Sequence, residues 1–221
     1  MTSVGESIKS TLVSIYTEHI RSHLPGKIAE YNSVQVRTDR IFGDSVRPNY
    51  EQALVSAIEE RTEKGNGIVI IGGGYGVSTV RAAEAVGISG SVVTYEGSEN
   101  HVEYIKETVD MNGVQKIVDI EHAIVGEALQ LLDDPGDAEV IGPGDLPECD
   151  VLAMDCEGAE KEILNKLVIR PSTVIVETHD HLESTEQNAR RQLEEMGYTI
   201  VSSELESQEP RVTVLAGAKE I

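Results

Sequence analysis

Apolar residues follow two rhythms along this 221-residue chain. Between residues 6 and 24, Ile8, Leu12, Ile15, Tyr16, His19 and Ile20 fall at helical spacing. A second such face, Tyr50, Ala53, Leu54, Ala57 and Ile58, predicts a helix over 50–63 that stops at Gly65-Asn66-Gly67. The stretch between them, 31–48, is polar and reads as irregular. From residue 68 onward the rhythm changes, and short apolar runs alternate with amphipathic segments. Strands are expected at 68–72, 91–95, 116–121, 150–154 and 173–177. Helices are expected at 76–86, 98–111, near 125–132, at 158–167, and at 183–196 with Leu182, Ala189, Leu193 and Met196 facing inward. Two final strands, 198–203 and 211–216, have no helix between them.

Repeated strand–helix pairs predict an α/β fold, a doubly wound and mostly parallel sheet with helices on both faces. The last two strands must close as a hairpin, so one of them is antiparallel. "DDPGDAEVIGPGDLPE" interrupts the alternation and reads as a surface loop. The expected organisation is an N-terminal helical segment, 1–65, packing on the core, followed by the sheet domain, 66–221. No internal repeat or low-complexity tract occurs.

Charge narrows the range of partners. Lys and Arg total 18 against 39 Asp and Glu, a formal net charge of -21. Such a surface repels nucleic-acid backbones and anionic membranes. The acids are spread along the chain instead of forming a tail. With eight lysines, one Phe and no Trp, they fit a solvated surface suited to a cytoplasm of high salt, and hence a halophilic, archaeal source. No apolar run of membrane-spanning length and no signal-peptide pattern is present. Cys149 and Cys156 flank one predicted strand, roughly 23 Å apart at ~3.3 Å per residue, which is too far for a disulfide. Two cysteines without a matching His or Cys pair make no zinc site, and no metal is expected. A reducing cytoplasm is the simplest setting.

The chemistry begins at "IVIIGGGYGVST", residues 68–79. A strand runs into glycines and then into a helix, which is the opening of a nucleotide-binding α/β unit. The dinucleotide fingerprint G-x-G-x-x-G fails in both registers, ending on Val77 or Thr79. The pattern that fits is G-x-G-x-G at Gly72, Gly74 and Gly76, with Gly73 between. That tighter loop lets backbone pass under a ligand without a diphosphate, such as S-adenosylmethionine. The next strand ends in Tyr95-Glu96-Gly97, and an acid there can accept both ribose hydroxyls. "DVLAMDCEGAEKEIL" ends its strand in Asp155, Glu157 and Gly158, and "STVIVETH" ends in Glu177 and His179. In such sheets ligands bind beyond the carboxyl ends of the strands. The glycine loop, Asp155/Glu157 and Glu177/His179 would therefore line one crevice. Glu157 could instead cap the following helix, His179 could cap the turn after its strand, and Glu160 reads as a solvated helix residue.

"MDCEGAEKEIL" and "VIVETH", set behind "GGGYG" and "YEGS", resemble the FkbM family of S-adenosylmethionine-dependent methyltransferases, in a haloarchaeal type of member. The resemblance covers roughly residues 66–216. It implies a Rossmann-like methyltransferase fold with a seven-stranded sheet. It also implies methyl transfer to a hydroxyl of a sugar or other small-molecule acceptor. Gly72, Gly73, Gly74 and Gly76 would hold the methionine part of the cofactor, and Glu96 with Gly97 the ribose. Asp155 and Glu157 would lie beside the methyl group, with Asp155 also toward the cofactor. His179 has the pKa range of a general base. One departure stands out. Methyltransferases of this type usually carry an acid two residues before the first glycine, and here that position is Ile70; Asp155 or Glu51 could stand in. The competing readings are an NAD(P)-dependent oxidoreductase and a non-catalytic chain that kept the fold.

Overall fold

The computed structural model describes residues 26–41, 43–126, 134–156, 158–180 and 185–219. The helix expected over 6–24, Leu182 and the candidate Glu157 lie outside the described residues.

The segment expected to be irregular is a small sheet. Strand β1 (Lys27–Tyr31) pairs antiparallel with β2 (Val34–Thr38), and β3 (Val46–Arg47) adds in parallel to β1. The turn between β1 and β2 is Asn32-Ser33, both left-handed at φ 47 and 64. Val34, Val36 and Thr38 are buried while Gln35 is exposed, which is the period-2 pattern of a half-buried strand. Helix α1 (Gln52–Arg61) follows and buries Ala53, Leu54, Val55, Ala57 and Ile58.

The large sheet comprises β4 (Gly67–Ile71), β5 (Ser91–Glu96), β6 (Val118–Val125), β7 (Glu139–Ile141), β8 (Val151–Met154), β9 (Thr173–His179), β10 (Thr199–Gln208) and β11 (Arg211–Ala218). Its order is β10-β11-β9-β8-β4-β5-β6-β7. Strands β4 to β9 run parallel, and β11 is antiparallel to both β9 and β10. The expected single antiparallel strand is therefore β11. The sheet has one strand more than the seven expected. The extra strand, β7, lies in the Gly/Pro/Asp-rich stretch read as a loop, where Glu139-Val140-Ile141 pairs with Ala123–Val125. Strand β6 runs to Val125, where the sequence suggested a helix beginning; the rest of that helix lies outside the described residues.

Four further helices complete the layers: α2 (Val77–Val86), α3 (Glu99–Met111), α4 (Glu160–Lys166) and α5 (Glu186–Glu195). Side chains alternate across each strand, so the core divides in two. Ile68, Ile70, Val151, Ala153 and Ile175 face α1 and α2, while Val69, Leu152, Met154, Val174 and Val176 face α4 and α5. Continuing the first face toward the carboxyl ends gives Gly72 after Ile70, Asp155 after Ala153, and Glu177 and His179 after Ile175. The packing that buries the strand centres thus brings those residues together at one end. Among the described residues no helix is long and apolar enough to cross a membrane. Cys149 and Cys156 flank β8 and are not bridged by a disulfide.

Candidate functional site

The glycine loop is shaped by the strand beside it. Gly72 has φ 88, and its N–H donates to the Tyr95 carbonyl at 2.9 Å. A Cβ at Gly72 would overlap the Asp155 carbonyl oxygen, so the residue must be glycine for the ends of β4 and β8 to close up. Gly73 is nearly as restricted, because a Cβ there would meet Ile105 and come within 2.7 Å of Thr94. Gly74 is different. It is left-handed at φ 51, but the space beside it is open: the nearest atoms to a Cβ would be Glu51 Oε1 at 3.6 Å and the Tyr50 hydroxyl at 3.9 Å. Gly76 caps the N-terminus of α2.

Glu96, at the end of β5, is buried and turned back into this loop. Its Oε2 accepts from the N–H groups of Gly73 and Gly74, both at 3.0 Å, and its Oε1 accepts from Ser98 N–H at 2.8 Å. Gly97 is buried in the turn between them. The carboxylate therefore organises the loop through three backbone donors. Of its roughly four lone-pair sites, one on Oε1 remains for a ligand's hydroxyl.

The second group sits at the ends of β8 and β9. Met154 pairs with Val176, so one further step along the ladder sets Asp155 beside Glu177. Glu177 and His179 share a face of β9. His179 Nε2 lies 3.5 Å from Glu177 Oε1 and 3.7 Å from Asp155 Oδ1, and its Nδ1 lies 3.9 Å from Glu160 Oε1. His179 is 5% exposed, so it is not the surface residue of a turn.

Glu160 corrects the sequence reading. It is 0% exposed, where a solvated helix residue was expected. Its Oε1 accepts from Cys156 and Gly158 N–H, tying down the turn out of β8.

A cavity of about 590 Å³ opens beside these groups. Residues 46–51, from β3 to the residue before α1, form one wall, and Asp155, Glu177 and Glu206 form the other. Glu51 was named from sequence as a stand-in for an acid at position 70, whereas Tyr50 and Glu206 were not foreseen at the site. Glu51 has a left-handed backbone at φ 50 and hydrogen-bonds Ser78 N–H, near the start of α2, and the Tyr50 hydroxyl. Burial, reinforced by the charge of Glu177, pushes its carboxyl up to about 8. Burial and the neighbouring Glu51 likewise hold the Tyr50 hydroxyl well above its ordinary value. Glu206 reaches from β10 to the N-terminus of α1, where it accepts from Gln52 and Ala53 N–H at 3.2 and 2.6 Å. An acid at a helix start is electrostatically favoured, but no local pattern could link residues 51 and 206. Tyr75, inside the glycine loop, stacks on Tyr104 and meets Tyr31 and Tyr50 edge-on, which joins the small sheet to the loop.

The site thus has two parts with a common wall. One is a backbone cradle at Gly72–Gly76 with Glu96 beneath it. The other is an acidic cavity ringed by Glu51, Asp155, Glu177 and Glu206. Glu51 belongs to both.

The profile of the Methyltransferase FkbM domain matches residues 91–200. No curated protein matches the sequence. Solved structures share the fold. The O-methyltransferase TomG from Streptomyces achromogenes, in complex with SAM, is 22% identical with a TM-score of 0.51, covering 76% of this chain and 78% of that one. An O-methyltransferase from Bacillus cereus, in complex with SAH, is 17% identical with a TM-score of 0.52, covering 95% and 91%. A precorrin-6y C5,15-methyltransferase from Geobacter metallireducens is 15% identical with a TM-score of 0.56, covering 78% and 90%.

Proposed function

We propose that this protein methylates a hydroxyl of an uncharged small-molecule acceptor, such as a sugar; the match of residues 91–200 to the FkbM methyltransferase profile and the fold shared with solved methyltransferases support this reading. S-adenosylmethionine is the cofactor of this domain. The observation that carries the proposal is the shared wall: an open glycine cradle adjoins a cavity of about 590 Å³ across a single residue, Glu51.

The residues present suit that cofactor. The cradle is open above Gly74, where a side chain would intrude. Glu96 keeps one acceptor site, on Oε1, for a ribose hydroxyl. Ile70 is 1% exposed, packed under α1 and α2, and offers nothing to the cofactor's ammonium. Glu51, whose Oε1 lies beside Gly74, is the carboxylate we assign to that task.

Bound in the cradle, the cofactor supplies a methyl made electrophilic by its sulfonium. The chain's own residues orient the acceptor. Among the described residues the cavity is lined by four carboxyl groups, of which Glu51, pushed up to about 8, is largely neutral near pH 7, and by one cation, Arg47, which also pairs with Asp44. Anionic acceptors are repelled by this lining, whereas hydroxyls can donate to it. Asp155, partly exposed to the cavity, accepts the acceptor's hydroxyl proton as a new oxygen–methyl bond forms. The cofactor, having given up the methyl with its bonding electrons kept on sulfur, would leave as the neutral thioether. His179 lies behind Asp155 and Glu177 and supports them from there.

The test is incubation with methyl-labelled S-adenosylmethionine and a panel of hydroxylated acceptors, followed by mass spectrometry. A product heavier by one methylene on oxygen supports the proposal. Binding of S-adenosylhomocysteine with no turnover on any acceptor points instead to a chain that kept only the fold.

A further inference from the structure

We propose that Asp155, Glu177 and His179 bind one divalent transition-metal cation at the floor of the cavity. This goes beyond methyl transfer and does not depend on it. It also replaces the expectation from sequence that no metal is held.

The geometry is that of a three-ligand site. One ligand atom from each residue can be chosen so that all lie within 4.8 Å of one another. His179 Nε2 stands 3.5 Å from Glu177 Oε1 and 3.7 Å from Asp155 Oδ1. These separations exceed a charge-assisted hydrogen bond, which runs about 2.7–2.9 Å. Ligands held at about 2.1–2.2 Å on one octahedral ion sit roughly 3 Å apart when adjacent and about 4.3 Å when opposite. The observed spacings lie within or just outside that range, so only small side-chain rotations are needed.

An independent sign is Glu177 Oε2. The residue is 6% exposed, yet this oxygen is buried with no hydrogen-bond partner. Leaving a buried carboxylate oxygen unsatisfied is costly, and a cation removes the cost.

The surroundings fit as well. His179 turns Nε2 to the cluster and Nδ1 toward the fully buried Glu160. A carboxylate behind a histidine is the usual way to fix a ligating imidazole; at 3.9 Å, Glu160 Oε1 would have to close by about 1 Å to do so. Asp155 and Glu177 line the cavity, so three protein ligands leave open positions facing the acceptor. One imidazole with two carboxylates suits manganese, iron or zinc better than calcium. Acidification of an oxygen bound there would complement the proposed chemistry.

The test uses the full chain, stripped with EDTA, without cofactor, in 1 M KCl to suppress binding to the acidic surface. MnCl2 is titrated by calorimetry. The expected result is one Mn2+ per chain with a dissociation constant below about 100 μM. Glu177→Gln and His179→Ala should each weaken it at least about tenfold, while Glu103→Gln, on the exposed face of α3, should leave it unchanged. Pulsed electron paramagnetic resonance on the wild-type complex should show coupling to one imidazole nitrogen, a readout that needs no variant to fold. The absence of stoichiometric binding, affinity unchanged in both site variants, or the absence of nitrogen coupling would each overturn the proposal.

Discussion

Two glycines two positions apart make the sharpest test of the loop, because they have different duties in the structure. Gly72 has φ 88, and a Cβ there would overlap the Asp155 carbonyl oxygen and lie 2.8 Å from its carbon. The obstacle is backbone, so no rotamer change relieves it. The chain is also held there by the hydrogen bond from Asp155 N–H to the Ile71 carbonyl, 2.9 Å. Left-handed strain costs about 1–2 kcal/mol and overpacking about 1–3 kcal/mol, so Gly72→Ala should lose about 2–5 kcal/mol. At about 2–4 °C per kcal/mol for a chain of this size, the melting temperature should fall by about 4–20 °C. Gly74→Ala meets only ordinary contacts, at 3.6 and 3.9 Å. It carries the strain alone, about 1–2 kcal/mol, and should melt within about 8 °C of wild type. Its methyl, however, enters the cradle and should weaken S-adenosylhomocysteine at least about tenfold, some 1.4 kcal/mol. Circular-dichroism melts and calorimetry on the same preparations read both quantities. If Gly72→Ala melts within 2 °C of wild type (roughly 1 kcal/mol), the close approach of β4 and β8 is wrong. If Gly74→Ala binds within about threefold, under 1 kcal/mol, the cofactor does not pass over Gly74.

Four further outcomes follow from the same structure. Glu96→Gln turns an amide NH2 toward at least one of three backbone donors; it should cost about 1–3 kcal/mol of stability and weaken S-adenosylhomocysteine about 30-fold or more, and a variant that lost stability alone would leave Glu96 as a loop brace. Asp155→Asn should keep the melting temperature and S-adenosylhomocysteine affinity while losing at least about 100-fold in single-turnover methyl transfer; lost stability with retained turnover would remove Asp155 from the chemistry. With a net charge of -21 on 221 residues, thermal melts should rise between 0.1 M and 2 M KCl as repulsion is screened, and equal melting temperatures would count against a halophilic surface. Burial pushes the Cys149 thiol from 9.0 up to about 12; the neutral thiol is therefore favoured in the folded state, and the associated stability is lost as pH rises above 9. At pH 8 iodoacetamide should alkylate Cys149 about 1000-fold more slowly in the native than in the unfolded chain, and similar rates by peptide mapping would contradict its burial.

The sheet was legible wherever burial on both faces forces an unbroken apolar run. "GIVII", "VLAM" and "TVIVETH" are such runs, and β4, β8 and β9 follow them closely. The hairpin of β10 and β11 was legible because no crossover helix separates them. The small sheet was not, although Val34, Val36 and Thr38 alternate. Its turn is Asn32-Ser33 in left-handed conformation, without the glycine that usually marks such a hairpin. Strand β7 was hidden for a related reason: only three residues pair, between Gly- and Pro-rich flanks, and pairing with β6 is a tertiary fact. Glu160 was misread because a charge in the first turn of an amphipathic helix is normally solvated; here Cys156 and Gly158 supply two N–H donors to it.

The site divides along the same line. Gly72, Gly74, Glu96, Asp155, Glu177 and His179 all stand at strand ends, and in a parallel sheet strand ends converge whatever the loops do. Glu51, Tyr50 and Glu206 come from outside that scheme, and only packing assembles them. The departure at position 70 shows why they matter. Ile70 lies on the sheet face that α1 covers, and it is 1% exposed among Leu54, Ile58 and Val80 in one apolar cluster. An acid in that environment would have to be desolvated. Glu51, at the start of that helix, brings a carboxylate to within 3.6 Å of the Cβ position of Gly74. Its left-handed backbone and the Ser78 N–H that it accepts hold it there. The apolar packing that excludes an acid from the strand is thus made by the helix whose first turn delivers one to the loop. An apolar residue at position 70 and a carboxyl group at position 51 are both accommodated by the same docking of α1.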